Sequence, residues 1–151
     1  MAQAARWMRM QLADGGGAAA ALAAAQPAAA DPILVWLRAA GESAFALIAP
    51  QRLAPGRVRR WLAWGAMPAI ATCRGFGLPA YLEEESIWLH GRRVARLSAA
   101  RVGACALIEG SFPPSLAAEP GLEAAFRQRI EAQHGWQFDT AWPGAEVPRA
   151  C

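Results

Sequence analysis

The chain contains no lysine and no asparagine, so all fifteen of its basic residues are arginine. The lack of both types, together with many Ala, Arg, Gly and Pro residues, is typical of a GC-rich bacterial coding genome. Arginine binds carboxylates and phosphates as a fixed planar cation, but it cannot release its proton as lysine does. Chemistry that requires a lysine therefore has no residue for it in this chain.

Cysteine is scarce as well, and its three positions are Cys73, Cys105 and Cys151. None of them forms a Cys-x-x-Cys pair, which argues against a disulfide framework or a zinc site. Cys105 lies in the middle of an apolar run, where a free thiol behaves as a small core residue. This cysteine usage is typical of a reducing cytosol, so we expect a cytoplasmic protein. No apolar run of about 18 residues is free of charge and proline, so we also expect no transmembrane helix.

Acidic residues cluster only at Glu83, Glu84 and Glu85. Adjacent side chains in a strand alternate between its two faces, so at most two of these carboxylates converge. No His or Asp follows at ligand spacing. We therefore interpret this run as solvated charge and assign no metal site.

Three short apolar runs in the second half of the chain predict a β-meander. They are Ile87–Leu89, Val94–Leu97 and Ala104–Ile108. Gly91 and Gly103 lie in the turns between them. Arg92 and Arg93 leave the first turn together, and a bidentate fork of guanidinium groups could hold an anion at this edge of the sheet.

Other patterns complete an α+β architecture with an antiparallel or mixed sheet and helices packed on one face. Strands are predicted over Pro32–Ala40 and Ser43–Ala49, and helices over Arg57–Trp64 and Leu122–His134. Gly65 and Pro68 are expected to end the first helix, and Gly135 the second. We predict one domain over residues 31–142, preceded by an Ala/Gly-rich segment (residues 1–30) and followed by a tail (residues 143–151).

The meander also carries a family resemblance. Ser86-Ile87-Trp88-Leu89, followed by Gly91-Arg92-Arg93-Val94-Ala95 and then Gly103–Gly110, resembles the central sheet of the biotin/lipoate protein ligase and octanoyltransferase superfamily. The resemblance implies the ligase-like fold of that superfamily. It also implies a pared-down version, because the helix–strand unit that opens the family domain is not evident before the triple glycine.

The resemblance further implies a ligand site. Its residues would be Trp88, Gly91, Arg92, Arg93 and Ala95. Gly15, Gly16 and Gly17 resemble a degenerate form of the family's glycine loop and would also contribute. The implied ligands are ATP and lipoate or octanoate, and the implied partner is a lipoyl domain.

One departure from the family pattern bears on catalysis. The catalytic lysine of the family aligns with Arg93, and a small family residue aligns with Arg96. We therefore assign no catalytic residue and expect impaired catalysis.

The segment before Pro32 has two further interpretations. A basic start, an apolar stretch and small residues before Asp31 are compatible with a signal peptide, although Asp14 and the triple glycine interrupt the apolar stretch. A flexible Ala/Gly-rich lead-in is the other interpretation.

A different class of function, a non-enzymatic interaction module, also fits the composition. The chain has seven tryptophans, and Trp and Arg are enriched at interface hot spots. Trp136 and Trp142 are the tryptophans predicted to be exposed, and a homodimer could form through them or through a sheet edge. Nucleic-acid binding is not expected: the cluster Arg57, Arg59 and Arg60 fits a solvated helix face, and basic and aromatic residues do not interleave along one strand face.

Overall fold

The computed structural model describes residues 2–11 and 17–139, which form a mixed sheet of eight strands with three α-helices. The strands are β1 (Gln3–Gln11), β2 (Ile33–Ala39), β3 (Glu42–Pro50), β4 (Tyr81–Glu83), β5 (Ser86–Leu89), β6 (Arg92–Val102), β7 (Cys105–Ser111) and β8 (Trp136–Phe138). The helices are α1 (Ala18–Ala25), α2 (Val58–Gly75) and α3 (Leu122–His134), and single 3-10 turns lie at Gln51–Leu53 and Pro114–Leu116.

The strand order across the sheet is β4-β5-β6-β7-β3-β2-β1-β8. β1 runs parallel to β2 and β8, and the remaining neighbours are antiparallel. The predicted α+β class, the meander β5–β6–β7 and the hairpin β2–β3 are therefore confirmed. Helix α3 has the predicted bounds, and Gly135 ends it in the left-handed conformation with φ 69°.

Each face of the sheet has its own core. α2 and α3 cover one face over an aromatic cluster in which the rings of Trp36, Phe45, Phe112 and Phe126 lie 4.8–6.0 Å apart. The opposite face, here called the α1 face, carries a smaller core in which Val35, Ile48 and Leu107 pack with Ala19 and Ala23 of α1. The two predicted helices therefore share one face, as expected, whereas α1, which the sequence does not indicate, packs on the other.

The N-terminal segment differs from expectation, since the sequence analysis assigns no strand or helix before Pro32. In the structure β1 lies inside the sheet, where Trp7 is buried on the α2/α3 face and Met8 on the α1 face. Alanine and arginine weaken the apolar alternation of β1, so the sequence pattern does not indicate this strand. Helix α1 is held by burial of its small side chains rather than by caps, because Gly17 provides no side-chain cap.

Helix α2 continues through both residues that were expected to end it. Gly65 lies against Ile108 of β7, where its missing Cβ allows the close approach. Pro68 is buried inside the helix, and its carbonyl accepts a hydrogen bond from Thr72 Oγ1 at 2.7 Å. Burial of the following turn, including Ala69, Ile70 and Cys73, outweighs the local signals for termination.

Residues 81–85 form an edge strand and the turn that follows it. Tyr81–Glu83 is a strand that the sequence pattern does not indicate, and Glu84 and Glu85 make its turn with φ of 47° and 58°. The side chains of Glu83, Glu84 and Glu85 are exposed, as the interpretation of solvated charge predicts.

Within residues 2–11 and 17–139, none of the helices combines the length and hydropathy needed to cross a bilayer.

Candidate functional site

The β5–β6 hairpin holds most of the residues that the sequence singles out. Its turn is His90-Gly91, with φ of 50° and 77°, and glycine adopts this left-handed conformation without strain. Trp88 Nε1 donates a hydrogen bond to the carbonyl of Glu83 at 2.8 Å. This bond ties the hairpin to β4 and holds the indole in place.

The two arginines after this turn point to opposite faces of the sheet. Arg92 pairs with Leu89, which packs into the core under α2 and α3, whereas Arg93 pairs with Trp88 on the α1 face. Paired residues on neighbouring strands share a face and successive residues alternate. The predicted fork of Arg92 and Arg93 is therefore corrected, because their side chains start on different sides of the sheet.

A β-bulge brings a different arginine next to Arg93. The register shifts at Ile87/Trp88, so that Val94 is the extra residue and Arg96 pairs with Ser86 on the α1 face. Arg93 and Arg96 thus share this face and both side chains are exposed. Ala95 pairs with Ile87 and is buried in the core beneath α2 and α3, away from both.

On β1, β2 and β3 the α1 face carries a continuous strip of apolar side chains. In one row Met8 pairs with Val35 and Val35 with Ala46, and in the next row Met10 pairs with Leu37 and Leu37 with Ala44. We call Met8, Met10, Leu37, Ala44 and Ala46 the apolar strip. Met8, Leu37, Ala44 and Ala46 are buried in the core of this face, and Met10 is partly buried.

Polar side chains border the apolar strip on the β6–β7 side. Glu109 pairs with both Ala46 and Ser98, and Ser111 pairs with Ala44. Arg96 precedes Ser98 by two residues and lies on the same face. The apolar strip thus ends next to hydroxyl, carboxylate and guanidinium groups on the same face.

Glu109 is a charged residue of this face that the sequence pattern does not single out. Its side chain is partly buried, and this burial raises the pKa of the carboxyl group above its ordinary value. A signal was present, since Cys105, Leu107 and Glu109 share one strand face and only the last is charged. Cys105 itself is fully buried and its pKa is raised by burial, as a core cysteine requires.

The glycine loop is described only at its end. Gly15 and Gly16 lie outside the described residues. Gly17 precedes α1, and its carbonyl accepts the hydrogen bond from Ala21 N at 2.9 Å. Helix α1 packs over β3, β7 and β6, and the backbone of Ala24 approaches Gly103. The segment that follows the triple glycine therefore covers the same face that carries Arg93 and Arg96.

A separate cavity lies on the other face of the sheet. It has a volume of about 130 Å³ and lies between the ends of β2 and β3 and the start of α3. Its lining includes Trp36, Arg38, Ser43, Glu119 and Glu123. Among the predicted ligand residues that the structure describes, none lines it, and it is smaller than the roughly 300–1,000 Å³ of typical small-molecule sites.

One of the two tryptophans on which the interaction-module hypothesis depends is buried. Trp136, predicted to be exposed, is only 4% exposed and packs against His134 and Trp64. It belongs to the core because β8 pairs with β1. Trp142 lies outside the described residues.

Comparison with solved structures identifies the fold. A bi-partite lipoate protein ligase from Thermoplasma acidophilum, solved in a study that includes its E2 lipoyl domain, superposes with a TM-score of 0.72 at 8% identity, covering 99% of this chain and 89% of that one. Lipoate-protein ligase A bound with ATP gives a TM-score of 0.70 at 8% identity, covering 99% and 90%. A biotin protein ligase from Aquifex aeolicus gives 0.59 at 9% identity, covering 89% and 70%.

The chain therefore has the α+β fold of the lipoate- and biotin-protein ligase catalytic domains, as the resemblance implies. No protein-family model and no curated protein matches the sequence. At identities of 8–9%, the solved structures establish the shared fold, and the function has to be argued from the site.

Proposed function

We propose that this chain is a lipoate/biotin ligase-like domain that binds a small carboxylic acid on the α1 face and does not activate it as an adenylate. The observation that carries the proposal is the pairing of Trp88 with Arg93. It puts an arginine on the α1 face, at the position where the resemblance implies the catalytic lysine. The carboxylate of the acid would bind Arg93 or Arg96, which are both exposed on this face.

Arginine at position 93 supports binding without activation. It carries the charge needed to pair with a carboxylate or phosphate, but its charge is spread over a plane and its fork demands more room than an ammonium group. Electrostatic stabilisation of a transition state depends on donor placement, and the loss of one well-placed donor costs about 3–4 kcal/mol in related cases. Arg96 adds bulk and a second positive charge on the same face.

Ligand binding is tested by thermal unfolding with lipoate, octanoate, biotin and ATP added separately. A ligand present at 100 times its Kd adds about 2.7 kcal/mol to the free energy of unfolding. We expect stabilisation by at least one of the acids, and its loss in Arg93→Ala. Arg92→Ala is the matched control, because it removes the same group one residue away on the opposite face. Stabilisation by none of the acids would argue against a retained site.

Activation is tested by mass spectrometry of the chain incubated with ATP, Mg²⁺ and lipoate or octanoate. We expect no acyl-adenylate from the natural chain and none from Arg93→Lys, since Arg96 and the altered glycine loop remain. An adenylate peak, or transfer of the acyl group to a lipoyl-domain acceptor, from the natural chain would show an active ligase instead.

The proposal also names a partner. The Thermoplasma acidophilum ligase is described together with its E2 lipoyl domain, and a protein carrying such a domain is the partner we propose for this chain. Co-purification with a lipoylated and an unlipoylated acceptor domain distinguishes recognition of the lipoyl group from recognition of the domain surface. A cytoplasmic location and a homodimer stay predictions.

A further inference from the structure

The cavity at the start of α3 is lined by polar and charged groups. It has a volume of about 130 Å³ and lies between the end of β2, the start of β3 and the start of α3. Arg38 and Glu119 line it and are exposed, so the cavity opens to solvent. Trp36 and Ser43 place it on the face of the sheet that α2 and α3 cover, opposite the α1 face.

Two opposite charges in this lining are unpaired. Within residues 2–11 and 17–139, the side chains of Arg38 and Glu119 form no hydrogen bond and no ion pair, either with each other or with another residue. The second acid of the lining, Glu123, is already paired with Arg9 at 3.0 Å. Among the described residues, the cavity therefore has one unpaired positive charge and one unpaired negative charge.

Hydrogen-bond donors lie at the same place. Trp36 is only 3% exposed, and its indole N–H donates to none of the described residues. The indole nitrogen of Trp7 is sealed from solvent, whereas that of Trp36 is not, so an acceptor in the cavity can reach it. Gly121 provides no side-chain cap for α3, and the backbone N–H of Glu123 has no acceptor among the described residues. Together with Arg38, these donors suit a carboxylate.

The size and charge of the cavity restrict the ligand. A protein cavity of about 150 Å³ holds one benzene molecule, so this volume of about 130 Å³ admits about six heavy atoms. Phosphate is disfavoured because the carboxylates of Glu119 and Glu123 would repel it. A small monoanion would leave Glu119 without a partner, whereas a zwitterion satisfies both unpaired charges.

We propose that this cavity binds a small α-amino acid as its zwitterion, and that alanine has a suitable size. Its carboxylate accepts hydrogen bonds from Arg38, from the indole N–H of Trp36 and from the first turn of α3, and its ammonium group donates to Glu119. The inference goes beyond the proposed function and does not depend on it, because it uses no residue of the α1 face.

The test is isothermal titration of the natural chain with L-alanine, propionate and ethylamine. Propionate is alanine without its ammonium group, and ethylamine is alanine without its carboxylate. We expect a Kd of about 1 mM or tighter for alanine, which is within reach of so small a ligand. Each of the other two compounds should bind at least about tenfold more weakly, because the hydrogen bonds of one charged group are lost.

Two variants show whether alanine lies in this cavity. Arg38→Gln and Glu119→Gln are each expected to weaken alanine binding by at least about tenfold, and both positions are exposed, so neither change disturbs the core. Arg59→Gln and Glu83→Gln are the matched controls, because they make the same substitutions at exposed positions of α2 and β4. Both controls should bind alanine as the natural chain does.

The outcomes that overturn the inference are distinct from those for acid binding on the α1 face. Absence of alanine binding at about ten times the expected Kd, or equal affinity for propionate or ethylamine, excludes a zwitterion site. Unchanged alanine affinity in Arg38→Gln or Glu119→Gln means that alanine binds elsewhere. Each of these results leaves the proposed function intact, since that function is tested with other ligands and with Arg93→Ala.

Discussion

His134 shows how one side chain can couple stability to pH in this fold. Its ring stacks on Trp64 at 4.3 Å between centroids and lies 5.2 Å from Trp136. The Nε2 atom is buried without a hydrogen-bond partner among the described residues. Burial is the larger cause that lowers the pKa of His134 to about 4, and a hydrogen bond with the backbone of Gln133 opposes it.

The pH dependence follows from this lowered pKa. In the unfolded chain a histidine takes up a proton near its usual pKa of about 6.5, while folded His134 stays neutral down to about 4. The unfolded state therefore binds more protons in this window, and the free energy of unfolding falls as the pH drops from 6.5 to 4. The slope contributed is at most about 1.4 kcal/mol per pH unit.

His134→Phe tests the point because phenylalanine keeps an aromatic ring between Trp64 and Trp136 and removes the titration. Urea unfolding at pH 7.0, 6.0 and 5.0 should show the natural chain losing stability relative to the variant as the pH falls. Parallel stability curves for the two proteins would mean that His134 is not buried as a neutral ring.

Arg93 and Glu109 illustrate what could be inferred about the site from residue types. The departure at Arg93 is visible in the sequence, since a family motif fixes the position where a lysine is expected. The face of the sheet on which Arg93 lies cannot be predicted from the sequence, because the bulge at Val94 depends on the pairing between β5 and β6. The partial burial of Glu109 cannot be predicted either, because strand alternation indicates which residues share a face but not whether that face is solvated.

The C-terminal end of helix α2 cannot be predicted from the local sequence. Local rules place its end at Gly65, whereas the helix continues to Gly75. Glycine fits at position 65 because a Cβ there would lie only 2.8 Å from Cγ1 and 2.9 Å from Cγ2 of Ile108. The contact partner is more than forty residues away in sequence, so no local pattern contains it. By contrast, α3 follows from its own periodicity, with Leu122, Phe126 and Ile130 buried along one stripe.

Gly65→Ala is predicted to destabilise the chain although alanine favours helices. The gain in helix propensity is about 1 kcal/mol, whereas forcing a methyl group against the fully buried and β-branched Ile108 costs about 1–3 kcal/mol. We expect a net loss of about 1 kcal/mol in urea unfolding with an unchanged m value.

Gly75→Ala is the matched control for the same helix. A Cβ there meets only the guanidinium group of Arg129, with Nη2 at 3.0 Å and Cζ at 4.0 Å, and this flexible group can move away. Its stability should stay within about 1 kcal/mol of the natural chain. A Gly65→Ala protein as stable as the Gly75→Ala protein would show that the α2–β7 contact is not tight.

At the scale of the whole molecule, β1 joins parts of the chain that are distant in sequence. It pairs with β2 on one side and β8 on the other, and its Trp7 also touches Arg127 of α3 at 4.2 Å from guanidinium carbon to ring centre. Arg9 of the same strand forms an ion pair with Glu123 of α3 at 3.0 Å. The N-terminal strand thus connects the sheet, α3 and β8.

A chain that begins at Asp31 should therefore fail to fold cooperatively. Loss of residues 1–30 removes the strand between β2 and β8 and the buried side chains of Ala5, Trp7 and Met8. Burial of one large apolar side chain contributes about 1.5–3 kcal/mol, so the loss approaches the 5–15 kcal/mol of total stability typical of a domain.

Circular dichroism during urea unfolding should show a sigmoidal transition for the full chain and none for the chain that begins at Asp31. A synthetic peptide of residues 1–30 added in trans is the control, because it should restore part of the transition by supplying β1 and α1. Cooperative unfolding of the shortened chain alone would contradict this prediction. It would support residues 31–142 as the domain unit, since the sheet would then be stable with β2 at its edge.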